Sequence, residues 1–172
     1  MKEFAESALI HKKGLDPIYF EDTAFLFVGS FASEPSRDNG KHYADSRNTF
    51  WKYIKGIFSS ENLSEEAYCM KYKIGVVDVV KSCWMPENSH SDNDIHDPAF
   101  INFTDVSNSI QNLKLIVIQS DYAWNIFCER FAKKINRNIL ILRMDSTSGV
   151  NRKKDRVSES FDLIAKILKG IL

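Results

Sequence analysis

The sequence is short of several things that would classify it quickly. Glycine and proline are sparse, with seven and four among 172 residues, and no Gly/Pro/Ser-rich stretch marks a linker. Residues 1–172 therefore read as one domain of ordinary size. The three cysteines, Cys69, Cys83 and Cys128, are odd in number, widely spaced and free of any CxxC pair. That excludes a recognisable disulfide framework or zinc knot and fits reduced thiols in a cytoplasmic protein. No apolar run approaches the roughly 20 residues of a membrane helix, and the opening Met1–Ser7 is too acidic and too polar for a signal peptide. An excess of either charge is also missing, because 23 basic residues face 23 acidic ones. Any nucleic-acid binding must then rely on local clusters of Lys and Arg.

What the sequence does contain is apolar and aromatic. The fractions, 44% and 12%, supply a real core and exclude disorder. Ala24–Val28 is a short apolar run ended by Gly29, which suits a buried strand. Ile74–Val80, Leu113–Gln119 and Ile139–Met144 read the same way. Between them, Thr49–Phe58 has Phe50, Tyr53, Ile54 and Ile57 on one helical face, and Asp121–Lys134 is amphipathic with Ser120 as its N-cap. Lys154–Leu172 is a closing helix with Val157, Phe161, Ile164, Ile167 and Leu168 inward. Trp84–Asn102 is polar and reads as a long functional loop. Apolar strands alternating with helices predict a three-layer α/β/α sandwich around a mainly parallel sheet of about four strands. Phe27, Val77, Val117 and Leu140 are the expected strand cores. Ligands in such folds bind at the carboxyl ends of strands, which directs attention to the loops after Val28, Val80, Gln119 and Met144.

The loop after the first of these strands carries the strongest signal. Gly29-Ser30-Phe31-Ala32-Ser33 is followed by His42-Tyr43-Ala44-Asp45-Ser46-Arg47-Asn48-Thr49-Phe50-Trp51. Small residues at a strand end admit close backbone approach to a ligand. Together the two segments resemble the first motif of the uracil-DNA glycosylase superfamily. They are closest to the branch acting on hypoxanthine (deoxyinosine), whose members read roughly G-S-F-P-S, a spacer, then Y-Y-A-x-x-R-N-x-F-W. The closing N-x-F-W is shared with mismatch-specific uracil/thymine glycosylases. Downstream, Gly75–Val80 is similar to the family's G-[IV]-x-D-[VL]-[VL] strand, Ser91–Ile95 to the polar loop after it, and Ser146–Arg152 to its S-T-S-P-A-N motif. Ala32 and Gly149 stand where the hypoxanthine branch has proline, and Gly149 makes the last loop similar to the S-G-x-x-R of mismatch-specific enzymes. Phe31 stands where several branches place a catalytic Asn or Asp.

The resemblance implies a monofunctional DNA repair glycosylase that hydrolyses the N-glycosidic bond of a deaminated base, hypoxanthine or uracil, after flipping it from the duplex. The implied catalytic residue is Asn48. Its neutral amide carries a donor and an acceptor for a lactam edge or a water, although asparagine in that place is equally suited to cap the helix that follows. Gly29, Ser30, Phe31, Tyr43, Ser146 and Ser148 are the implied base pocket, with Tyr43 as the stacking aromatic. Gly149, Val150, Asn151, Arg152 and Lys154 are implied to contact DNA. Arg152, Lys153, Lys154 and Arg156 form the densest basic cluster in the chain, and basic side chains at a helix start oppose its dipole unless an anion is present. The partner is DNA containing a deaminated base, bound by a monomer without a membrane. No cofactor is expected, and His42, His90 and His96 with their neighbouring aspartates lack metal-ligand spacing. Because Phe31 occupies a commonly catalytic position, the alternative is a relative that binds damaged nucleic acid without hydrolysing it. A small-molecule α/β enzyme sharing only strand-end turns is a third reading.

Overall fold

The structure, a computed structural model, describes residues 8–135, 138–149, 151 and 153–171. Its centre is a four-stranded, wholly parallel sheet in the order β3-β2-β6-β7. The strands are β2 (Phe25–Gly29), β3 (Ile74–Asp78), β6 (Leu115–Gln119) and β7 (Leu140–Met144). The first strand of the chain, β1 (Leu9–Lys13), belongs elsewhere, to an antiparallel sheet with β4 (Val80–Pro86) and β5 (His96–Phe100) in the order β1-β4-β5.

Every residue of β2, β3 and β6 is buried, as strands covered on both faces must be. One face, including Leu26, Val28, Ile116 and Ile118, packs on α4 (Phe103–Ser109) and α5 (Asp121–Arg130) through Phe103, Val106, Ala123 and Phe127. The opposite face, with Phe25, Phe27, Leu115 and Val117, meets α2 (Phe50–Ile57), α3 (Glu65–Tyr72) and α6 (Lys154–Ile171). Phe50, Ile54, Val157, Phe161, Ile164 and Leu168 are buried there, and Tyr53, Ile57 and Ile167 pack against them partly buried. The architecture is the three-layer α/β/α sandwich that the sequence predicts. A short helix, α1 (Glu34–Asn39), opens the loop after β2 with Pro35 in its first turn. Among the described residues no helix is long and apolar enough to cross a membrane.

Three expectations need correction. Ile74–Val80 is not one strand: β3 ends at Asp78, and the chain passes through Val79 directly into β4. Trp84–Asn102 is not a long loop, since it holds the end of β4, a 3-10 turn at Asp92–Asp94 and all of β5. Strand β4 buries Val80, Cys83 and Met85 while exposing Lys81 and Trp84; this half-buried pattern in polar sequence hides it. Strand β5 contains Pro98, which its edge position tolerates. Finally, Leu140 is 43% exposed, because β7 is an edge strand and Leu140 opens it.

The chain leaves β2 toward β3 on one side of the sheet and later returns to β6 on the other. The carboxyl ends of β2 and β6 thus flank a topological switch point, where loops diverge and leave a crevice.

Candidate active site

A cleft of about 820 Å³ opens at that switch point. Gly29, Ser30 and Phe31 after β2, Asp78 at the end of β3, Gln119 and Ser120 after β6, and Asp145 and Ser146 after β7 all line it. The loop between α1 and α2 adds His42, Tyr43 and Asn48, and the 3-10 turn adds Asp92. The segment before that turn is held by Lys12, a buried lysine whose Nζ donates to the carbonyls of Pro86 and Glu87 at 3.0 and 2.8 Å.

Tyr43 is fixed by two contacts. Its ring stacks on Phe50 at 4.0 Å between centroids, and its hydroxyl accepts from Gln119 Nε2 at 2.8 Å. Gln119 Oε1 in turn accepts from the buried Thr147 hydroxyl at 3.1 Å. The backbone of Tyr43 is left-handed, with φ of 56°, a costly choice for a bulky residue that neighbouring contacts must enforce. Burial, reinforced by Asp78, keeps the phenol neutral by raising its pKa well above 10. Gly29 allows this arrangement, because a Cβ there would run into Asp78 Oδ1 and stand 3.3 Å from the Tyr43 hydroxyl.

Asn48 divides its amide between two tasks. Oδ1 accepts from the backbone N–H of Phe50 at 2.9 Å, satisfying one of the free donors at the start of α2. The N–H needs an acceptor there, so the oxygen is the inward atom and Nδ2 the remaining one. No hydrogen bond to a described residue engages Nδ2, and Asn48 lines the cleft. One end of the side chain is thus tied to the start of α2, while no described residue engages the other.

The last loop is tied to the same helix start. Thr49 N–H donates to Thr147 O at 3.1 Å, Asn151 Nδ2 donates to Ser146 O at 2.6 Å, and Gly149 packs so closely on Arg47 that a Cβ would clash. Asp78 closes the floor. It is 8% exposed, its Oδ2 lies 3.8 Å from His42 Nδ1, and burial, opposed by His42 and aided by Asp92, raises its pKa from 3.8 to about 6. Asp92 is also raised by burial, with the Ser30 hydroxyl opposing the shift.

No family model matches the sequence. Among curated proteins, a hypoxanthine DNA glycosylase of Methanosarcina acetivorans is 29% identical over 156 residues, covering 86% of this chain and 94% of the relative. Another, from Methanosarcina barkeri, is 26% identical over 147 residues, covering 83% and 89%. The solution NMR structure of a candidate uracil DNA glycosylase from Methanosarcina acetivorans matches with a TM-score of 0.75 at 23% identity, over 93% of this chain and 99% of that one. The resemblance to the uracil-DNA glycosylase superfamily is borne out by these sequence relatives and by the shared fold.

Of the residues that the superfamily motifs single out, Gly29, Ser30, Phe31, Tyr43, Asn48, Ser146, Ser148 and Asn151 share the cleft. Gly149 is set back against Arg47, and Lys154 is exposed in the first turn of α6, outside the cleft lining. Val150 and Arg152 lie outside the described residues. The basic cluster is less free than its sequence suggests, since Asp145 pairs with Lys153 Nζ at 3.5 Å and Arg156 Nε at 3.1 Å. Sequence reasoning assigned no role to Asp78, His42, Gln119 or Asp92. Two signals pointed to Asp78: it is the D of the G-[IV]-x-D-[VL]-[VL] strand, and it is an acid ending an otherwise apolar strand, an expensive place for a charge. Among the described residues, no three His, Cys, Asp or Glu side chains gather as a metal site.

Proposed function

We propose that this protein is a monofunctional DNA glycosylase that removes a deaminated base, hypoxanthine before uracil, and works as a single chain. The observation that carries the reading is the unengaged Asn48 Nδ2 beside the cleft, in a side chain locked by its own turn. A leaving base gains negative charge as the sugar becomes oxocarbenium-like, and a fixed donor stabilises that charge without reorganising. Phe31 and Tyr43 line the same cleft and offer aromatic surface to a flipped base, offsetting part of the stacking lost from the duplex. The curated relatives named hypoxanthine DNA glycosylase favour hypoxanthine as the base. DNA contact falls to Gly149, Val150, Asn151, Arg152 and Lys154.

The test is excision on oligonucleotides carrying deoxyinosine or deoxyuridine, read as strand breakage after alkali, with wild type and Asn48→Ala. Breakage that needs Asn48 supports the reading. Tight binding to the lesion without breakage would instead favour a damage-binding relative, consistent with Phe31 rather than a polar residue at its position.

A further inference from the structure

Asp78 takes no part in the reading above, although it sits at the floor of the cleft. It is over nine-tenths buried, yet its carboxyl lines the opening and neither oxygen is sealed in protein. No described residue donates a hydrogen bond to it. His42 Nδ1 stands 3.8 Å from Oδ2, beyond hydrogen-bond reach. A buried carboxyl without a donor is costly, and the cost falls if the group is protonated or meets a polar ligand.

The surrounding groups decide between its two forms. His42 Nε2 lies 2.9 Å from Asp16 O, and a carbonyl only accepts, so Nε2 carries a hydrogen. His42 Nδ1 therefore faces Asp78 either as a lone pair toward a carboxylic acid or as N–H toward a carboxylate. One other neighbour, Asp92, opposes negative charge on Asp78, and two more groups lie nearby. Asp92 approaches from the 3-10 turn, and the neutral Tyr43 phenol lies across Gly29. Glu65 of α3 sits behind His42, accepting from its backbone N–H. Burial is the largest influence and brings Asp78 to about 6, so the acid form is populated near neutrality.

We propose that Asp78, as the acid, protonates N7 of a flipped purine lactam while the glycosidic bond breaks, making the cleft a purine-releasing site. The inference rests on the glycosylase reading and extends it to a substrate class. As the C1′–N9 bond breaks, its electron pair passes into the purine ring. The Asp78 proton moves to N7, so hypoxanthine departs neutral. Water adds its oxygen to C1′ of the oxocarbenium-like sugar, and its released proton restores Asp78. Uracil offers no such ring nitrogen; its charge spreads to carbonyl oxygens, where Asn48 Nδ2 is the useful donor.

The experiment is single-turnover excision by wild type and Asp78→Asn from about pH 5 to pH 8. The substrates are oligonucleotides with deoxyinosine, 7-deazadeoxyinosine or deoxyuridine, and binding is followed by fluorescence anisotropy. General-acid assistance contributes ~100–10,000-fold. The wild-type rate on deoxyinosine is expected to fall as pH rises above about 6, and Asp78→Asn to lose ~100-fold or more with a flattened profile. Deoxyuridine excision is expected to change by less than ~10-fold, and 7-deazadeoxyinosine to resist both proteins. Asp78→Asn with the wild-type rate and pH profile on deoxyinosine overturns the inference, as does ready excision of the 7-deaza substrate. Equal losses on deoxyinosine and deoxyuridine overturn it too, in favour of a role toward water. If wild type excises no base, the glycosylase reading itself fails and carries the inference with it.

Discussion

Replacing Asn48 by Ala and by Asp separates two roles that one side chain performs at once. Its oxygen accepts the Phe50 N–H at 2.9 Å in an Asx turn just before Thr49, the N-cap of α2, a bond whose loss costs about 1 kcal/mol. In a domain of this size that lowers the melting temperature by about 2–4 °C. Its nitrogen has no partner among the described residues and borders the cleft. A pre-positioned donor acting only in the transition state is worth about 2.7–4 kcal/mol, or ~100–1000-fold in rate. Asn48→Ala removes both contributions, so the melt falls slightly and excision falls severely. Asn48→Asp keeps the acceptor oxygen, and a negative charge at a helix start is favourable by about 0.3–1 kcal/mol; the melt therefore holds or rises. The second carboxylate oxygen, however, replaces the donor with an acceptor facing a departing anion, so excision stays impaired. Single-turnover rates on a deoxyinosine oligonucleotide, paired with thermal unfolding, read the two effects independently. Recovery of the wild-type rate by Asn48→Asp would show the residue to be only structural.

Three further outcomes follow from the geometry. Asp78 has a raised folded-state pKa, so its contribution favours the native state at low pH and is lost as pH rises from 3.8 through about 6. Asp78→Asn is thus expected to stabilise the protein at pH 8 by up to about 3 kcal/mol and to change little at pH 3; equal melting at both values refutes the burial argument. Phe161 is 2% exposed and stacks on Tyr53 at 4.7 Å, so Phe161→Ala is expected to cost about 3–5 kcal/mol in urea unfolding, and a cost below about 1 kcal/mol would contradict that packing. Lys154→Ala is expected to weaken DNA binding on every sequence alike and to lower the salt slope by about one. An unchanged slope moves the phosphate contacts elsewhere.

The parts of the fold legible in the sequence are those whose burial is uniform. Strands β2, β3 and β6 are apolar up to their last residue because helices cover both their faces, and α6 shows its inward residues at helical spacing. The antiparallel sheet was illegible for the opposite reason. Its strands are half exposed, β5 is interrupted by Pro98, and β1 exposes every residue except Lys12. The short helices α1, α3 and α4 also escaped, because six to eight residues give too few turns for a periodic signal. In the site, Asn48 and Tyr43 were found through a motif, whereas Asp78 needed three dimensions. Only the fold brings His42, Asp92 and Gly29 around it and leaves its carboxyl without a donor.

The division of labour in Asn48 also bears on how this position changes over generations. Both asparagine codons become aspartate codons by an A-to-G transition at the first base. Adenine deamination produces that transition, because the hypoxanthine it leaves pairs as guanine. The variant would fold, since the turn survives, and so would escape the quality control that removes unstable proteins. On the proposed role of Asn48, a cell carrying it would hold a well-folded protein deficient in clearing the lesion that created the variant. Selection at position 48 would then act through mutation rate, with little help from protein stability.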